Sequence, residues 1–156
     1  MPAVSNIEAK VEEAFRSFLA NHPDLSGLGL GLNFFTGVED EDQALPCVVA
    51  HAMSATEEPQ GFGNYFVEVA VWVKTKLHQA DPSNPTEDRK AAHNTNVAAV
   101  RDALSTDDLA SQLSATQPDF YAFDPVVGGA TQHGVDGTTA KTLKQFKVYC
   151  CPMDIT

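Results

Sequence analysis

Basic residues are scarce in this chain. Ten lysines and arginines stand against 21 aspartates and glutamates, a formal charge of −11. Affinity for nucleic acid comes largely from cations that neutralise phosphates, so tight direct binding of DNA is disfavoured. The acidic excess leaves three uses: a surface that repels DNA, a match for a partner with a basic face, or plain solubility. Long apolar runs are also missing. None approaches the roughly 18 residues that a membrane span needs. The opening MPAVSNIEAKVEEAF has neither the basic start nor the apolar core of a secretory signal, which argues against secretion. Only three cysteines occur, Cys47, Cys150 and Cys151, an odd number without the spacing of a disulfide framework. Adjacent Cys150 and Cys151 on a strand would face opposite sides, so the expectation is reduced, partly buried thiols. The five histidines show no H-x-x-x-H or H-E-x-x-H spacing, and C-x-x-C is absent. No zinc site, other metal site or cofactor is therefore expected.

What the chain does contain is one long strand pattern, Asn64 to His78. Val67, Val69, Val71 and Val73 alternate toward one face, and Phe66, Glu68, Ala70, Trp72 and Lys74 toward the other. A single pure apolar face predicts an antiparallel or mixed sheet covered on that side. At 156 residues the chain fits one domain, residues 1–156.

Before this strand, Ser5 and Glu8 have capping-box spacing, and Ile7, Val11, Ala14, Phe15, Phe18 and Leu19 form one apolar helical stripe. Asn21-His22-Pro23 ends that helix. The segment Ser26–Thr36 lacks G-x-G-x-x-G, so Leu28, Leu30 and Leu32 read as one side of a short strand or extended loop. Glu39, Asp40, Glu41 and Asp42 form an acidic loop without the ligand spacing of an EF-hand. Leu45 to Met53 reads as a strand that leads into the central one.

After it, Thr86 is a plausible cap for a second helix, with His93, Val97, Val100 and Leu104 on one stripe. His93 reads as a hydrogen-bonded core or boundary residue. A third helix spans Asp107 to Leu113. Asp119 to Asp124 reads as a short strand ended by Pro125, and the glycine-rich 126–141 reads as a long loop that is functional or ordered by a partner. The last strand runs from Thr142 to Cys151. The order predicts an α+β fold: a mixed, mainly antiparallel sheet of four to five strands with two to three helices on one face.

Two constellations compete for function. Trp72 projects from the middle of the central strand opposite the valines, with Phe66 and Lys74 on the same face, which suggests a subunit interface. His133 beside Asp136, in the glycine-rich loop, could act as a base and its orienter in a small cytosolic hydrolytic enzyme. No G-x-S-x-G nucleophile motif accompanies them.

The layout resembles the tail terminator and tail-completion proteins of long-tailed bacteriophages. The resemblance lies in the opening helix Ile7–Leu19, the strand pair Leu45–Met53 and Tyr65–Lys76, the V-x-x-V-x-x-x-L helix His93–Leu104, the D-D-L-x-x-x-L piece at Asp108–Leu113, and two closing strands around a glycine-rich loop. The Gly-Leu stretch and the acidic loop have no counterpart in it. The resemblance implies a virion protein, assembled in the host cytoplasm, whose copies form a ring, commonly a hexamer. Such a ring caps the tail tube, joins it to the neck and lets DNA pass through an acidic channel. Interface candidates are then Phe66, Trp72, Lys74, Gly128, Gly129 and His133, and Glu39–Asp42 are candidates for the channel or a partner loop. Other neck components (a head–tail connector or stopper), the terminator of a contractile injection apparatus, and an acidic module that masks a basic partner remain open readings.

Overall fold

The computed structural model describes residues 7–27, 31–38, 43–57, 63–76, 89–116, 120–136 and 139–152. Helix α1 spans Ile7–Ala20, and all six residues of its apolar stripe are buried. The expected cap, Ser5, lies outside the described residues. Asn21-His22 ends α1, but Pro23 opens a further short helix, α2 (Pro23–Gly27). Proline fits the first helical position because its missing amide hydrogen would have no intrahelical partner there.

Strand β1 (Asn33–Thr36) lies parallel to β2 (Cys47–Glu57), which pairs antiparallel with β3 (Tyr65–Lys76). Leu28 and Leu30 fall outside the described residues; the strand begins beyond them and is carried by Phe34 and Phe35. Helices α3 (Arg89–Leu104) and α4 (Leu109–Thr116) follow. The expected cap at Thr86 also lies outside the described residues.

Strands β4 (Phe120–Asp136) and β5 (Thr139–Pro152) close the chain. The sheet order is β1-β2-β3-β5-β4, with β5 antiparallel to both neighbours. This is the expected α+β arrangement of a mixed, mainly antiparallel sheet. No helix among the described residues is long and apolar enough to cross a membrane.

The core joins Val67, Val69, Val71 and Val73 to Val48 and Ala50 of β2 and to Phe146 and Val148 of β5. Phe15 and Leu19 of α1, Val100 and Leu104 of α3, and Leu109 and Leu113 of α4 complete the same cluster, so the helices cover one sheet face. Phe15 and Phe146 meet with ring centroids 5.5 Å apart. Each fully buried side chain of this size contributes roughly 1.5–3 kcal/mol by leaving water.

One expectation fails outright. Residues 126–141 are not a loop: most of them belong to β4, in register with β5 from Val127↔Lys147 to Asp136↔Thr139. Nor does Pro125 end the strand. It falls in the register shift between Phe123 and Val127, on the outermost strand, where a missing amide hydrogen costs no ladder bond. The sequence pattern hides this strand because Val127 to Val135 are exposed and have no reason to alternate. Gly129 shows why glycine serves here. A β-carbon at that position would sit 3.3 Å from the carbonyl oxygen of Gln145.

Candidate functional site

Alternation along β3 sends Phe66, Glu68, Ala70, Trp72 and Lys74 to the sheet face away from the helices, and register fixes what stands beside them. Phe66 pairs with Tyr149, and Tyr149 with Phe123. Their rings form a row: Phe66 and Tyr149 stack at 4.6 Å, Tyr149 and Phe123 lie 5.0 Å apart, and Tyr121 meets Phe123 edge-on at 5.0 Å. The Lys147 ammonium sits 4.9 Å from the Phe66 ring centre, a cation–π distance. The Asn64 side-chain amide donates to the Tyr149 hydroxyl at 3.0 Å. The ends of this row are open to solvent, with Phe66 36% exposed, Tyr121 45% and neighbouring Val127 54%, while Phe123 and Tyr149 between them are half-buried. Rings of this size normally bury most of their area, so a row with both ends exposed is an unusual surface feature.

Trp72 lies six residues from Phe66, about 20 Å along the strand. It is half-buried, flanked in register by Val49 and Leu143. Together with Gln132, His133, Gly134, Val135, Lys141 and Leu143 it lines a partly open pocket of about 240 Å³. Lys74 corrects the expectation. It is only 2% exposed, and its ammonium donates to the Gln43 side-chain oxygen at 3.4 Å. Gln43, just before β2, therefore reaches this end of the face, and Lys74 offers no exposed contact surface. Charge on the face is also unlike the whole chain: Lys76, Lys141 and Lys147 point the same way as Glu68.

The glycine candidates diverge. Gly129 packs over Gln145, whereas Gly128 faces Lys144 and Phe146 and lines a groove with Leu104 and Leu109. His133 is exposed, but its Nδ1 reaches the Thr142 hydroxyl at 3.0 Å. Asp136 is described in its backbone only and, like His133, lies on β4 and not in a loop. Three residues is an odd step on a strand, so alternation does not bring positions 133 and 136 to one side. The candidate acidic residues Glu39–Asp42 lie outside the described residues.

The structure assembles a second polar feature behind the hairpin. His93, from the buried stripe of α3, places Nδ1 2.8 Å from the Thr75 hydroxyl and Nε2 2.8 Å from the Thr142 hydroxyl. The Asn96 amide donates to the Thr75 hydroxyl at 3.2 Å. His93, Thr75, Asn96 and Thr142 are all at most 7% exposed. Burial, followed by the nearby His133, pushes the His93 pKa down and favours its neutral form. The expected core histidine is thus present, with partners that only the tertiary contacts supply.

Cys47 and Cys150 are buried, Cys151 is half-buried, and none of the three is in a disulfide. Burial, with Cys151 adding a smaller effect, pushes the Cys150 thiol up to about 12. Among the described residues no group of three His, Cys, Asp or Glu side chains could hold a metal ion.

Tyr121, Phe123, Lys147 and Tyr149 were not singled out from the sequence. The alternation of β5 placed Lys147 and Tyr149 opposite Phe146, but only the register reveals that they join Phe66. No family model matches this chain, and no curated protein matches it.

Proposed function

We propose that this chain is a non-enzymatic virion protein of the tail-terminator type, whose copies close into a ring, commonly a hexamer, between tail tube and neck. The observation that carries the reading is the row Phe66–Tyr149–Phe123–Tyr121, exposed at both ends, on the sheet face opposite the helices. A closed ring needs two different patches on each subunit. The aromatic row serves as one. The outermost strand β4 serves as the other, since Val127 to Val135 are exposed and its outer backbone edge has no strand beside it among the described residues. The open face carries lysines in a chain of charge −11, so the acidic excess lies elsewhere and is free to line a channel that DNA crosses without sticking. A connector or stopper of the same neck would use the same surfaces.

Light scattering on the purified chain, alone and mixed with a tail tube protein, tests this reading. The expected result is a multimer that Tyr121→Glu and Phe66→Glu each reduce to monomer with unchanged circular dichroism. A chain that stays monomeric at high concentration with and without the tube protein refutes it, as does a multimer indifferent to both substitutions.

A further inference from the structure

The buried polar side chains between α3 and the hairpin form a line: Asn96, Thr75, His93, Thr142 and finally exposed His133. Each link is within hydrogen-bond distance, and each constrains the next, because a hydroxyl has one hydrogen and a neutral imidazole has one N–H. With His133 neutral, one arrangement uses every hydrogen. Asn96 donates to Thr75, Thr75 to His93 Nδ1, His93 Nε2–H to Thr142, and Thr142 to His133 Nδ1. The opposite arrangement starts with His133 Nδ1–H donating to Thr142. When Thr142 then donates to His93 Nε2, His93 Nδ1–H donates to Thr75. Thr75 now accepts twice and its own hydrogen has no described acceptor, so a buried donor is lost and the first arrangement prevails.

We propose that this line is a switchable relay: a proton arriving at His133 on the hairpin changes which nitrogen of His93, inside the fold, carries the hydrogen. A doubly protonated His133 has no acceptor at Nδ1 and can only donate there. A Thr142 that also accepted from His93 Nε2–H would aim that hydrogen at the new charge, whereas the second arrangement turns a His93 lone pair toward it and is favoured. One proton is taken up from water and no other hydrogen is gained or lost. His133 ends with two ring hydrogens, His93 keeps one that has moved from Nε2 to Nδ1, and each threonine keeps its own. The charged and titratable groups nearest His133 in register and contact are His93 from α3, Lys141 and Lys144 from β5, and Lys74 beside Lys141 on β3. No described carboxylate forms an ion pair with His133. The relay therefore reports the charge state of the exposed hairpin to the buried face of α3, whether or not the chain assembles into a ring.

Nitrogen-15 NMR of the histidine rings, followed against pH on the full chain, tests the relay. His93 is expected in the Nε2–H form at high pH. It should convert to the Nδ1–H form with the same midpoint as the titration of His133. In His133→Phe, a substitution at an exposed position, the conversion should be lost. Thr142→Val should uncouple the two rings while Thr142→Ser keeps them coupled, and if the valine variant does not fold, His133→Phe and Thr142→Ser suffice. The proposal is overturned by a His93 ring that keeps one form down to the pH of unfolding. It is equally overturned by a second proton on His93 in the His133 step, or by the same conversion persisting in His133→Phe.

Discussion

Removing the carboxylate of Glu12 is the sharpest test of how α1 holds the sheet. Strand β1 accompanies β2 only as far as Thr36↔Ala50, and the Gly37 amide then donates to the Ala50 carbonyl at 3.1 Å. Beyond that point β2 has no strand on this side among the described residues, and a register shift follows between Ala52 and Ser54. The Ala52 amide, on a residue only 5% exposed, donates instead to Glu12 Oε2 at 2.8 Å. The same oxygen lies 3.4 Å from His51 Nδ1, an atom that is buried and has no hydrogen bond of its own. A hydrogen bond to a charged acceptor is worth about 1.5–3 kcal/mol. Glu12→Ala should therefore cost about 2 kcal/mol, measured as a lower urea midpoint at unchanged m-value. In a chain of this size that corresponds to a fall in Tm of about 4–8 °C. Glu12→Gln keeps an acceptor oxygen in place and should cost less than half as much. Hydrogen exchange at the Ala52 amide should accelerate about 30-fold in the alanine variant, since each 1.4 kcal/mol is a factor of ten. If Glu12→Ala costs under about 0.5 kcal/mol and Ala52 exchange is unchanged, the carboxylate does not hold this strand end.

Two further outcomes follow from the buried titratable groups. Because the folded pKa of His93 lies below its ordinary 6.5, the unfolded chain binds the extra proton first as pH falls. The stability tied to neutral His93 is full above pH 6.5, declines below it, and is exhausted below the folded pKa. Urea melts of the wild type and His93→Gln from pH 7.5 to 5 should show a shallower acid loss in the variant, and parallel curves would contradict the assignment. For the thiols, native-state alkylation at pH 8 followed by mass spectrometry should modify half-buried Cys151 ahead of buried Cys47 and Cys150, the last held protonated by a pKa of about 12. Labelling of Cys150 at the rate of Cys151 would contradict its placement in the core.

The amino-acid order alone determined the elements whose burial repeats at a fixed period. The stripe Ile7 to Leu19 and the valines of β3 are legible because one face of each must leave water, and that demand imposes periods of 3.6 and 2. From these followed the α+β class and the helical cover on the valine face. Tertiary structure decided whatever depends on neighbours distant in the chain. β4 is a strand because β5 offers its backbone as a template, although exposed Val127 to Val135 carry no pattern of their own. Lys74 is buried and meets Gln43, 31 positions earlier in the chain, which alternation within β3 could not reveal. The aromatic row and the line from Asn96 to His133 exist only through cross-strand register and the docking of α3, which join residues as distant in the chain as Phe66 and Tyr149. Periodicity records which side of an element is buried; it carries no information about which element lies against it.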